Sequence, residues 1–192
     1  VALNQAPLNP GDLPGKVQLS SPHSARRFYY RDLPTKVGFD WQAQPNASGY
    51  HFILARDPYF RDIVTDDQFS QPRFSHGNLK QVTYYWKVSA LHKTIEGLFS
   101  ENRSFRVVQD QIPPQLNVQF PPETIYQEKF ILKGKTEPGA RVYIGGKWVK
   151  TSKSGTFQYP VRLNLGLNII VVESFDAVNN VAYRTHRVNR KI

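Results

Sequence analysis

A metal site or an acid–base pair in this chain would have to be built from five histidines, His23, His51, His76, His92 and His186, and from 15 acidic residues. The histidines show no metal-ligand spacing, so a zinc ion would need ligands that meet only through folding. Asp57, Asp62, Asp66 and Asp67 could offer oxygens to calcium, but they lack the spacing and central glycine of an EF-hand loop, and a solvated acidic loop accounts for them. There is no Cys, which removes disulfides, thiolate ligands and thiol nucleophiles. Lys153-Ser154-Gly155 imitates one motif of penicillin-binding enzymes without its Ser-x-x-Lys partner, and neither Gly-x-Ser-x-Gly nor a phosphate loop occurs. Asp176 reads as a turn residue bonding to its own backbone. These residue types point to a protein that is not an enzyme and that needs no metal or cofactor.

What remains is charge and aromatic rings. The chain carries 25 Lys+Arg against 15 Asp+Glu, a net +10. Residues 1–110 hold 13 against 10 and residues 111–192 hold 12 against 5, so the second part has the field that attracts anions. Side chains alternate across a strand. With Phe130 and Leu132 inward, Lys129, Lys133 and Lys135 face outward, and with Val142 and Ile144 inward, so do Arg141 and Tyr143. Lys147 and Trp148 follow on the next strand and complete the candidate binding set. A basic stripe with aromatic rings suits phosphates or acidic sugars; lysines on exposed strands also guard sheet edges against unwanted pairing. A second cluster, Arg26, Arg27, Tyr29, Tyr30 and Arg31, could stack rings on sugar or nucleobase faces or could pack an aromatic pair under a loop.

The elements that must position these groups are strands. Val37-Gly38-Phe39-Asp40-Trp41 puts Val37, Phe39 and Trp41 on one face, Tyr50, Phe52 and Leu54 share another, and Tyr84, Trp86, Val88 and Ala90 a third. Glu137-Pro138-Gly139 fits a type II turn, and Gly145-Gly146 between two apolar runs is a two-residue hairpin signal. The second part holds about seven short strands without a helical period. Between the parts, Pro113 and Pro114 supply no backbone N–H, so no regular ladder runs through them. The fold class is therefore all-β, two tandem Ig-like or fibronectin III-like β-sandwiches joined by a short Pro-rich connector. Residues 1–14 read as a linker, 15–110 as the first domain and 111–192 as the second. The Pro-rich opening from Val1 reads as cut from a longer protein, with an ordered hinge expected near Gln109 to Gln115. No apolar run approaches the ~20 residues of a membrane helix, so insertion is not expected.

The order and spacing of these core aromatics, with Ser48-Gly49-Tyr50, the turn Ala55-Arg56-Asp57-Pro58-Tyr59-Phe60 and the strand Tyr84-Tyr85-Trp86-Lys87-Val88, resemble a bacterial fibronectin type III domain over residues 15–108. Residues 113–188 resemble the bacterial Ig-like modules typified by the B domain of glucodextranase. The matching segments are Gly134 to Ala140, Ile144 to Lys147, Ser154 to Phe157, Leu165 to Asn168 and Asp176 to Asn180. Asn179 departs from that pattern, where glycine is usual, but asparagine tolerates the left-handed turn. The whole is similar to the segment following a FecR domain in bacterial envelope proteins. The resemblance implies a non-catalytic binding or spacer region, periplasmic or on the cell surface, with a protein or a cell-wall glycan as partner. The alternatives are a carbohydrate-binding accessory module of a polysaccharide-active enzyme, and anionic-polymer or nucleic-acid binding through the basic second domain. Nucleic acid is not the expected partner.

Overall fold

A computed structural model describes residues 14–34, 36–93 and 95–192. The expected opening linker lies outside them except for Pro14, which is buried with its carbonyl close to Gly97. The chain forms two compact units that divide between Gln109 and Asp110. Every regular element among the described residues is a β-strand, as expected for the all-β class.

The first unit contains β1 (Leu19–Ser21), β2 (Arg26–Tyr30), β3 (Val37–Trp41), β4 (Gly49–Ala55), β5 (Ile63–Phe69), β6 (Arg73–His76), β7 (Thr83–His92), β8 (Ile95–Glu96) and β9 (Arg103–Gln109). One sheet runs β1-β3-β6 and the other β2-β9-β7-β4-β5, with β8 hydrogen-bonded to β7. β2 pairs with β9 in parallel from Arg26↔Phe105 to Tyr30↔Gln109, while the other pairings are antiparallel. The alternation expected of β3 is realised: Val37, Phe39 and Trp41 are buried and Gly38 and Asp40 exposed. Phe39 is the centre of the core, with ring centroids 4.9 Å from Phe52, 5.2 Å from Trp86 and 5.6 Å from Phe105. Each fully buried side chain of this size contributes about 1.5–3 kcal/mol by leaving water. At the start of β7 the buried Tyr84 donates its hydroxyl to the Lys80 carbonyl at 3.1 Å, which ties the β6–β7 crossover to the core. Burial pushes the Tyr84 phenol up, and its hydrogen-bond partners only partly offset that.

The second unit contains β10 (Leu116–Gln119), β11 (Thr124–Ile125), β12 (Lys129–Thr136), β13 (Arg141–Ile144), β14 (Lys147–Val149), β15 (Thr156–Arg162), β16 (Gly166–Phe175) and β17 (Val181–Arg190). Its sheets run β10-β12-β15 and β11-β17-β16-β13-β14, with β11 parallel to β17. Apart from β8, which has no counterpart, the threading repeats that of the first unit. The core is mostly aliphatic, built on Leu116, Leu132, Val142, Ile144, Val172 and Val188 with Phe157. The turns form where their residues demand: Gly139 (φ 87°) closes a turn whose Ala140 N–H donates to the Glu137 carbonyl, and Gly145 and Gly146 (φ 54° and 76°) make the β13–β14 hairpin. Asp176 accepts the backbone N–H groups of Val178 and Asn180, and Asn179 takes φ 68° between them, so the turn survives without glycine. The Asn180 amide also donates to the Asp110 carbonyl at 3.0 Å, which holds the start of this unit.

Candidate functional site

The candidate binding residues of the second unit lie on two different sheets. On the five-stranded sheet, Ile170, Val172 and Ser174 of β16 turn inward, so Ile169, Val171, Glu173 and Phe175 turn outward. The register then sets four side chains side by side across four strands. Trp148 of β14 faces Tyr143 of β13, Tyr143 faces Glu173 of β16, and Glu173 faces Tyr183 of β17. Three interstrand spacings make this row about 14 Å long. Trp148 is 61% and Tyr183 65% exposed, and Leu167 and Ile169 extend the apolar surface beyond the row. Beside it, Arg141, Tyr143, Glu173 and Phe175 line a cavity of 310 Å³. Arg141 donates to the Asn179 side chain, which fixes its guanidinium at the rim.

Lys129, Lys133 and Lys135 sit instead on β12, in the three-stranded sheet, and the expected single stripe is divided. Outward alternation holds for Lys129, Lys133, Lys135, Arg141 and Tyr143; what the sequence does not contain is the sheet to which each strand belongs. Arg141, Tyr143 and Trp148 come together on one face. Lys147, paired opposite Ile144, has the opposite parity to Trp148 at the edge of that sheet. Glu173 and Tyr183 belong to the row without any sequence signal, because a cross-strand neighbour exists only once the register is set.

In the first unit the basic and aromatic cluster also divides. Phe28 and Tyr30 pack against the core while Arg27 and Tyr29 turn outward, Tyr29 being 46% exposed. The Arg26 guanidinium lies 5.2 Å from the Phe28 ring centroid, and Arg31 pairs with Asp32 at 2.9 Å. Tyr29 alone presents a ring to solvent, so the cluster makes no stacking platform.

A different group, which sequence spacing does not reveal, covers the outer face of β4 and β7. His51 Nε2 meets Asp66 at 2.6 Å and Nδ1 meets Glu96 at 2.7 Å. Ser89 donates its hydroxyl to the same Glu96 oxygen at 2.6 Å. Burial by itself lowers the His51 pKa, but the hydrogen bonds that the ring donates to Asp66 and Glu96 outweigh it and raise the ring above its ordinary 6.5. Burial likewise raises Glu96, and the hydrogen bonds from Ser89 and His51 bring it below 4.5. Beside them the Lys87 ammonium is held between two rings, 4.2 Å from the Phe60 centroid and 4.3 Å from that of Phe99. Both ring nitrogens of His51 are taken by carboxylates, and Ser89, bonded to Glu96, is fully buried, so the cluster ties β4, β5, β7 and β8 together. It is a latch.

The acidic loop is similarly occupied. Asp57 accepts the N–H groups of Tyr59, Arg61 and Asp62, led by the bond from Asp62, which lowers its pKa below 3.8. Asp62 pairs with Arg56 at 2.8 Å. Among the described residues no group of three or more His, Asp or Glu side chains could hold a metal ion.

The fibronectin(III)-like modules of Clostridium thermocellum CbhA superpose on this chain with a TM-score of 0.54 at 12% identity, covering 91% of this chain and 94% of that one. The fold is fibronectin type III-like. An Fn3-like protein from Clostridium thermocellum matches at 14% identity over 50% of this chain and 91% of that one, with a TM-score of 0.35. The FN1–FN3 domains of chicken CNTN1 match at 16% identity over 93% of this chain and 67% of that one, with a TM-score of 0.48. No family model matches the chain, and neither does any curated protein.

Proposed function

We propose that this chain is a non-catalytic binding and spacer region of a larger extracytoplasmic protein of the bacterial envelope, and that its second unit binds a glycan. The resemblance of residues 113–188 to glucodextranase B-like modules, and of the whole arrangement to the region after a FecR domain, supports the compartment. The observation that carries the binding reading is the row of exposed Trp148, half-buried Tyr143 and exposed Tyr183 across the five-stranded sheet. Pyranose rings present apolar C–H faces that pack on aromatic side chains, while Glu173 accepts and Arg141 donates hydrogen bonds to hydroxyl groups at the edge of the row. A spacer that only separated neighbours would have no use for such rings in water, and exposed aromatic patches of this kind mark interaction sites.

The test is retention of the protein on insoluble peptidoglycan and on insoluble glucan. Retention is expected on at least one of them and is lost in Trp148→Ala and Tyr143→Ala variants that still melt cooperatively. Absence of retention on both materials removes the glycan reading and leaves a spacer.

A further inference from the structure

We propose that the groove on the three-stranded sheet of the second unit binds an acidic polysaccharide through Lys133, Lys135 and Lys150. The inference is independent of the aromatic row, which lies on the other sheet. The groove has a volume of 770 Å³, within the range of ligand sites, and its floor is set by the strand register. Asn117, Lys135 and Thr156 form one row across β10, β12 and β15, and Gln119, Lys133 and Gln158 form the next. Lys150 stands on the wall.

Three observations set this groove apart from an ordinary solvated surface. First, β12 lies between β10 and β15, so its lysines guard no sheet edge; the edge strands present Asn117, Gln119 and Gln158 in these rows. Second, no carboxylate lines the groove, and among the described residues none of its three lysine ammonium groups has an ion-pair or hydrogen-bond partner. Residues two apart on a strand have Cα atoms about 7 Å apart, so one anion can meet both ammonium groups and relieve their repulsion. Third, the wall is preformed. Gly155 takes φ 79°, and a Cβ there would lie 2.1 Å from the Thr136 carbonyl oxygen, so only glycine lets the loop after β14 press against the end of β12. The Ser152 hydroxyl then accepts the N–H groups of Ser154 and Thr156 and fixes the loop.

The lining also selects among polyanions. Amide and hydroxyl groups can exchange hydrogen bonds with the hydroxyls of a sugar chain while the lysines meet its carboxylates. The one aromatic ring in the lining is Phe157, which is buried in the core, so a nucleic acid finds no ring on which to stack a base.

Calorimetric titration of the full chain at low salt with polygalacturonate, dextran and oligo(dT) tests the proposal. Polygalacturonate is expected to bind, dextran and oligo(dT) to bind at least tenfold more weakly, and added salt to weaken the complex. Lys133→Gln and Lys135→Gln, surface changes that leave the melting temperature in place, should each lower affinity roughly threefold and flatten the salt dependence by about one unit of slope. Lys36→Gln in the first unit should leave polygalacturonate binding unchanged. Absence of polygalacturonate binding, equal binding of oligo(dT), or an undiminished affinity in the Lys133→Gln/Lys135→Gln double variant overturns the proposal. Retention on insoluble glucan reads the aromatic row on the other sheet and is scored separately, in the Trp148→Ala variant.

Discussion

Where the chain of the first unit crosses from β6 to β7, Tyr84 follows the buried Leu79 by five positions and bonds back to the Lys80 carbonyl; where the second unit crosses from β15 to β16, Asn168 follows the buried Leu163 by the same interval. Its amide donates to the Asn164 and Gly166 carbonyls and its oxygen accepts the Asn164 N–H. The geometry of the corner is shared and its chemistry is not. What the threading requires is a polar group that returns to the backbone four residues earlier, and a phenol anchored in an aromatic core or an amide over an aliphatic core can supply it. The outer faces differ in the same spirit. The sheet of β4 and β7 is covered by the His51 latch and the caged Lys87, whereas the equivalent sheet of β13 and β16 leaves Trp148 and Tyr183 in water.

The largest expected effect breaks the corner comparison. Tyr84→Ala removes a buried ring as well as its hydroxyl and should cost about 3–5 kcal/mol, against about 1 kcal/mol for Asn168→Ala, whose partners can turn to water. Chemical denaturation read by tryptophan fluorescence and by circular dichroism compares them; equal losses would show that the two corners are energetically the same device. Tyr84→Phe isolates the hydroxyl and should cost about 1 kcal/mol, since it leaves the Lys80 carbonyl without this donor.

The faces come next. Phe99→Ala opens the ring cage over Lys87 and should destabilise the protein by roughly 1–2 kcal/mol, while Trp148→Ala should stay within about 0.5 kcal/mol of the parent and lose glycan retention. A Trp148→Ala variant as unstable as Phe99→Ala would show that the bare face is part of the scaffold. The smallest effect is that of pH. His51 has a raised pKa in the folded state, so its contribution is complete below 6.5 and fades as pH rises through the folded value. Glu96 has a lowered one, so its contribution is complete above 4.5 and fades as pH falls through the folded value. Melting temperature should therefore hold a plateau between pH 4.5 and 6.5 and decline by a few degrees on the alkaline side, a decline that His51→Gln removes. An unchanged alkaline decline in that variant would assign it to another group.

Much of the fold is local and was therefore legible. The alternation of Val37 to Trp41, the Pro138-Gly139 turn and the Gly145-Gly146 hairpin are written in neighbouring residues. β6 was not foreseen because Arg73 to His76 carries one partly buried phenylalanine and owes its strand to pairing with β3, and two-residue β11 exists only as a partner of β17. The site was legible in its parities and illegible in its assembly. Outward placement of Lys133 or Tyr143 follows from the strand itself, but whether β12 is a central or an edge strand depends on β10 and β15. His51 reaches Asp66 and Glu96 across 15 and 45 positions, separations that no motif encodes.

The parallel pairing of β2 with β9 has a mechanical meaning. In each sandwich a strand near the start of the unit runs alongside the last one, so once β1 has been peeled from β3, pulling the chain ends apart slides β2 along β9 and loads their hydrogen bonds together in shear. Five residue pairs share that load in the first unit and two, between β11 and β17, in the second. Under an applied pulling force the second unit is therefore expected to open before the first, which a force–extension measurement on the full chain checks.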